Sequence, residues 1–163
     1  MIILGIDPGT ALSGYGVIQS DKRNKLTVLG YGAIRTPAHM SIDQRLSLIY
    51  DGVVKIIQEY QPQCLAIEEL FFNRNVTTAL TVGQARGVII LAAVHHQIPV
   101  AEYTPLQVKQ SVTGMGRAPK TQVGYMVRLL LGLKEVPQPD DVADALAVCI
   151  CHAHNGMGWR GQL

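Results

Sequence analysis

Three strand patterns in succession open the chain, and only after them does strand alternate with helix. Ile2–Asp7 and Gly14–Gln19 read as strands joined by the turn-forming Pro8-Gly9-Thr10, and Leu26–Arg35 supplies a third, so the chain begins as an antiparallel meander. From Ser41 to Tyr60 the apolar positions Ile42, Leu46, Ile49, Val53, Ile56 and Ile57 recur at helical spacing behind an N-cap serine, and Pro62 stops the run. Cys64–Glu68 is then a short strand, Val76–His96 a long helix and Val100–Tyr103 a last strand. Helices follow at Pro105–Val112, Lys120–Leu131 and Asp141–His154. The order βββαβαβααα predicts an α/β domain with a mixed five-stranded sheet flanked by helices, since a doubly wound sheet would begin βαβ.

Chemistry enters where the apolar strands stop. Asp7 ends Ile2-Ile3-Leu4-Gly5-Ile6, and Glu68 ends Leu65-Ala66-Ile67 in the same manner. A carboxylate buried there without compensation would cost several kcal/mol. Asp7 could simply cap the Asp-Pro-Gly turn, but two acids at the ends of two core strands point to a shared pocket. Glu69 falls on the other face of its strand. Asp141 and Asp144 lie three apart at the head of an apolar helix and project from one face. Asp140, out of phase with them, suits a capping role, and Asp141 alone could serve the helix dipole. Drawn together, four acids repel unless protonated or bridged by cations, and an all-oxygen donor set suits Mg²⁺ or Mn²⁺ rather than zinc. Two such ions about 4 Å apart can activate a water and stabilise the leaving oxygen of a phosphodiester displacement.

The distribution of charge is consistent with a polyanionic substrate. The chain of 163 residues carries a net +2, yet the stretch from Phe71 to Lys134 holds seven Lys or Arg against Glu102 alone, a net +6. The remainder is acidic, at −4. One surface can hold a polyanion while an acidic pocket gathers cations. Three cysteines, Cys64, Cys149 and Cys151, are too few and odd in number for a disulfide framework, which favours a reducing compartment, the cytoplasm. The longest apolar stretch, Val88–Val94, is far below the roughly 18 residues of a membrane span.

Several residues are candidates for DNA contact. Phe71 and Phe72 follow the Glu68 strand directly, beside Asn73 and Arg74, where an aromatic could stack on unpaired bases or belong to the core. Lys109 and Lys120 flank a Gly-rich loop containing Arg117, an arrangement able to grip phosphates from two sides, with Arg74, Arg86 and Arg128 as secondary candidates. Ala79, Gly83 and Gly87 lie four apart on one helix face and would let a partner helix approach closely, as in a two-fold dimer. Cys149, Cys151, His152 and His154 are not read as a zinc site, because helix neighbours two apart diverge by about 200°. Core packing explains the cysteines instead.

The runs ILGIDPGTALSGYGVI, LAIEELFF, GQARGVI, QVKQSVTGMG and PDDVADALA resemble, in order and spacing over nearly the whole chain, the motifs of the RuvC resolvases, which have the RNase H-like fold. The resemblance implies a single nuclease domain over 1–154 with a flexible tail at 155–163, and paired, metal-dependent incision of four-way (Holliday) DNA junctions in recombination and repair. It implies nicks with 5′-phosphate and 3′-hydroxyl ends, a homodimer and two metal ions held by Asp7, Glu68, Asp141 and Asp144. It also implies DNA contacts by Lys109, Lys120 and Phe71, and a branch-migration helicase complex is a candidate partner. Rivals are an RNase H-like nuclease acting on RNA and a non-cleaving junction scaffold. A third is a phosphotransferase of the actin and sugar-kinase type, for which 163 residues are too short to supply two lobes.

Overall fold

The computed structural model describes residues 1–70 and 76–155, and the elements follow the order read from the sequence. The strands are β1 (Ile2–Asp7), β2 (Leu12–Ser20), β3 (Leu26–Arg35), β4 (Cys64–Glu68) and β5 (Val100–Tyr103). The helices are α1 (Ile42–Tyr60), α2 (Val76–His95), α3 (Pro105–Thr113), α4 (Lys120–Leu130) and α5 (Asp140–Asn155). They form one five-stranded sheet in the order β3-β2-β1-β4-β5, antiparallel through β1–β2–β3 and parallel from β1 to β4 and β5. This is the mixed sheet of the RNase H-like fold.

Local chemistry sets the helix boundaries. Ser41 precedes α1 in extended backbone and its amide donates to Gln44 Oε1 at 3.3 Å, while Gln61 closes the helix in the left-handed region at φ 48° before Pro62. α3 has a reciprocal cap: Thr104 Oγ1 accepts from the Gln107 amide at 3.2 Å, and Gln107 Oε1 accepts from the Thr104 amide at 2.8 Å. Pro105 follows at the first helical position, where its missing N–H costs nothing.

The period-two alternation of the strands divides the core into two layers. Leu4, Ile6, Val17, Leu65 and Ile67 pack with Ile49, Val53 and Ile57 of α1 and Ala85, Ile89 and Ala92 of α2. On the other face Ile3, Ile18 and Ala66 pack with Val142, Leu146, Cys149 and Ile150 of α5, together with Val108 of α3 and Val127 of α4. All three cysteines are buried and free, as core residues. Among the described residues no helix is long and apolar enough to cross a membrane.

Two details differ from expectation. Asp140 is the first residue of α5 rather than a cap outside it, and its carboxylate lies 3.6 Å from Lys120 Nζ. The small-residue stripe of α2 is also rotated from the exposed ridge. Ala79 and Gly83 are half-buried, and a Cβ on Gly83 would lie 3.6 Å from Leu70, whereas Gly87 faces open space. The exposed ridge is Leu80, Gln84, Gly87, Leu91 and Val94, alternating by four and three.

Candidate active site at the carboxyl ends of β1 and β4

Register delivers the first two acids to one place. Ile6 pairs with Ile67 across the parallel β1–β4 ladder, so Asp7 and Glu68 leave the two strands side by side. Ile6 and Ile67 face α1 and α2, so the next residue on each strand turns to the α5 side. Glu69, one further on, turns away again, and its amide continues the β4–β5 ladder by donating to the Tyr103 carbonyl at 2.8 Å.

A glycine floor brings the other two acids. Gly14 pairs with Asp7 and Gly16 with Gly5, which places three glycines on the α5 side of β1 and β2. A Cβ on Gly14 would sit 2.1 Å from the Asp141 carbonyl oxygen, and one on Gly5 2.3 Å from the Ala145 carbonyl oxygen. One on Gly16 would sit 2.5 Å from Leu146. Any side chain there would lift α5 off the sheet. With hydrogen only, the head of α5 settles beside Asp7 and presents Asp141 and Asp144 to it. The sequence contained this signal, in Gly14 and Gly16 spaced to share a strand face, but it becomes readable only once Gly16 is known to lie opposite Gly5.

Burial pushes the Asp7 carboxyl up to about 7, and the neighbouring charges of Asp144, Asp141 and Glu68 push in the same direction, with Lys120 opposing. Burial also raises Glu68, to which Asp144 adds and which Lys109 and Lys120 partly offset. Asp144 is raised by burial against the opposing hydrogen bond from Lys120, whose Nζ lies 2.9 Å from its Oδ2. In all three burial is the largest cause, and neighbouring acids add to it, so the site disfavours the ionised acids until a cation compensates them. Among the described residues no three potential ligands converge at metal-binding spacing as the side chains are oriented. The cation the cluster holds is the Lys120 ammonium. The donor set of carboxylate oxygens fits a hard divalent ion.

Beside the acids opens a cleft of about 210 Å³, lined by Glu68, Asp144, Lys109 and Lys120 over a floor that includes Val108, Val123 and Ala147. Lys109 and Lys120, expected to flank a phosphate-gripping loop, thus lie at the cleft itself. Arg117 is exposed on the connection between α3 and α4. Phe71, Phe72 and Arg74 lie outside the described residues. Arg86, a secondary candidate for DNA contact, is engaged internally: it pairs with Glu102 and its Nε donates to the Glu68 carbonyl at 3.3 Å.

The Tyr103 hydroxyl lies 2.7 Å from His152 Nδ1, joining β5 to α5. Burial raises the tyrosine to about 12 and lowers the histidine, so at neutral pH a protonated phenol faces a neutral imidazole and donates to it. Tyr103 pairs in register with Glu68, so this bond ties the flank of the acidic strand end to the acidic helix.

The family model for the crossover junction endodeoxyribonuclease RuvC matches residues 3–152. A relative so named from Heliobacterium modesticaldum is 63% identical over 155 residues, covering 95% of each chain. Among solved structures, Thermus thermophilus RuvC in complex with Holliday junction substrate superposes with a TM-score of 0.91 at 38% identity, over 97% of this chain and 96% of that one. The yeast mitochondrial Holliday junction resolvase shares the fold alone, with a TM-score of 0.67 at 12% identity over 93% of this chain and 78% of that one. Full-length coverage at such identity leaves one conclusion: the chain belongs to the RuvC family of crossover junction endodeoxyribonucleases.

Proposed function

We propose that this protein resolves four-way DNA junctions by divalent-cation-dependent hydrolysis, with Asp7, Glu68, Asp141 and Asp144 holding Mg²⁺ or Mn²⁺. The observation that carries this reading is the grouping of the acids: Asp144, Asp141 and Glu68 all lie close enough to raise the Asp7 carboxyl, and Glu68 and Asp144 line a cleft with Lys109 and Lys120. Bound there, two such ions would supply neutralisation of the scissile phosphate and acidification of the attacking water. The chain's own part is positional. β1 and β4 fix two acids on the sheet, the glycine floor fixes two more on α5, and Lys120 and Lys109 offset part of their mutual repulsion. The same lysines, with Arg117 on the exposed connection, are placed to meet the phosphates flanking the cut. Phe71 and Arg74, adjoining β4 in sequence, are assigned to the unpaired bases of the junction. The products are 5′-phosphate and 3′-hydroxyl nicks.

A second copy of the chain is the partner that fits the apolar ridge of α2. Leu80, Leu91 and Val94 stand 47–63% exposed along it, and Gly87 between them allows close backbone approach. A two-fold pair then presents two clefts to a substrate that itself has two equivalent strands to cut. A branch-migration helicase complex is proposed as the further partner that delivers the junction.

Purified protein incubated with a synthetic four-way junction, the matched linear duplex and an RNA:DNA hybrid, with and without Mg²⁺ or Mn²⁺, tests this. The expected result is metal-dependent incision of the junction in preference to the duplex. Preferential cutting of the hybrid would assign the site to RNA, and junction binding without cutting in either metal would leave a scaffold.

A further inference from the structure

The Glu68–Glu69 peptide is gripped at both ends. Its N–H donates to the Tyr103 carbonyl at 2.8 Å, and its C=O accepts from Arg86 Nε at 3.3 Å. Those two groups lie on opposite edges of one rigid plane, so bonding both of them blocks rotation about the dihedrals on either side of it. The direction in which Glu68 projects its side chain from that plane depends on the nearer of them, its own ψ. Arg86 is itself immobilised, because its terminal nitrogen pairs with Glu102 on β5, whose register partner on β4 is Ile67, immediately before Glu68. One planar guanidinium therefore spans the ends of two neighbouring strands, a task for which a single ammonium has the wrong shape.

Arg86 also comes from the wrong side of the sheet to meet DNA at the cleft. Its neighbour in sequence Ala85 packs with Leu4, Ile6 and Ile67 in the α1–α2 layer, whereas the cleft opens on the α5 layer. Its side chain is only 16% exposed, and the described donors go to Glu68 and Glu102. A basic residue in the basic half of the chain is thus spent inside the protein, directly behind an active-site acid.

We propose that Arg86 is a positioning residue for incision, which through the Glu68 carbonyl fixes the Glu68 carboxylate toward the other acids. This rests on the assignment of Glu68 as a metal ligand. Groups that orient a ligand from behind typically change metal affinity or activity by about 10- to 100-fold when removed. Arg86→Lys retains a charge for Glu102 but cannot span both acceptors.

The test measures three quantities for wild type, Arg86→Lys, Glu102→Gln and Glu68→Gln. They are the Mn²⁺ dependence of junction incision, the rise in melting temperature with Mn²⁺ in the absence of DNA, and the junction Kd with its salt dependence. For Arg86→Lys the half-saturating Mn²⁺ in both metal titrations rises about 10- to 100-fold, while Kd and its salt slope stay at the wild-type values. A weakened Kd with a flattened salt slope would make Arg86 a phosphate contact and overturn the proposal, as would unchanged metal titrations. If Arg86→Lys does not fold, Glu102→Gln decides: a Mn²⁺ shift in the same direction supports the proposal, and none refutes it. Glu68→Gln separates the two readings. If it keeps wild-type Mn²⁺ binding and incision, the ligand assignment falls and the Arg86 role with it. If it loses both while Arg86→Lys loses neither, only the Arg86 role falls.

Discussion

The two faces of the sheet are built from the same five strands on opposite plans. Toward α1 and α2 the strands present Leu4, Ile6, Val17, Leu65 and Ile67, large side chains that are fully buried. Toward α5 the same strands bury Ile3 and Ile18 but carry Gly5, Gly14, Gly16 and Ala66 nearer the site, and β1 and β4 end in Asp7 and Glu68. The first face gains stability from apolar volume, at about 25 cal/mol for each Å² removed from water. The second gives up that volume so that a helix can lie close enough for its first turn to meet the strand ends. Both faces bury apolar side chains, but only the α5 face interrupts them with glycines beneath the head of the helix, so substitutions at Leu65 and Gly14 should separate stability from catalytic geometry.

The sharpest separation sets Gly14→Ala against Leu65→Ala. The added methyl of Gly14→Ala meets the Asp141 backbone, so α5 must shift. Overpacking of this kind costs about 1–3 kcal/mol. A displacement near 1 Å at a reacting centre costs about 100-fold in rate. Leu65→Ala costs about 2–5 kcal/mol by leaving a cavity, yet the incision rate per folded molecule should stay near wild type. Chemical denaturation paired with single-turnover incision checks both, and equal rate losses in the two variants would break the distinction between the faces.

A smaller effect follows from pH. Because the Asp7 carboxyl is raised from its ordinary 3.8 to about 7, the folded protein holds a proton there that the unfolded chain has released. The metal-free protein should therefore lose stability as pH rises from about 4 to about 7, with Glu68 and Asp144 adding in the same direction. The loss is complete once Asp7 is ionised in both states. Mg²⁺ or Mn²⁺ should restore stability above pH 7, with proton release on binding. Melting temperatures across this range, with and without Mn²⁺, check it, and Asp7→Asn should flatten the metal-free profile.

The smallest expected change is where β5 meets α5. Tyr103→Phe removes the bond to His152 and should cost about 1 kcal/mol, readable in a denaturation midpoint. A cost near zero would show that β5 and α5 are held together by packing alone.

Most of the fold was legible because its signals are local. The bounds of β1, β3, β4 and β5 follow from where the apolar strand patterns stop, and the start of α1 from the capping chemistry of Ser41. The four acids stood out as strand-end and helix-head residues, although turn capping and the helix dipole are local reasons for Asp7 and Asp141. What stayed hidden depends on distance in three dimensions. The glycine floor needs the β1–β2 register, and the bond from Arg86 to the Glu68 carbonyl joins a side chain to a backbone atom, for which residue types carry no code. Which side of α2 stays exposed was not readable in the sequence, because the helix is apolar nearly all round and its small residues do not mark that side.

The central claim is that Asp7, Glu68 and the head of α5 form a cation cage, and anomalous diffraction from crystals equilibrated with Mn²⁺ tests it most directly. The expected result is metal density about 2.1 Å from carboxylate oxygens of Asp7 and Glu68, with Asp141 or Asp144 completing the shell and the Lys120 ammonium displaced from Asp144. Mn²⁺ found elsewhere, with Lys120 still paired to Asp144 at saturating metal, would contradict it.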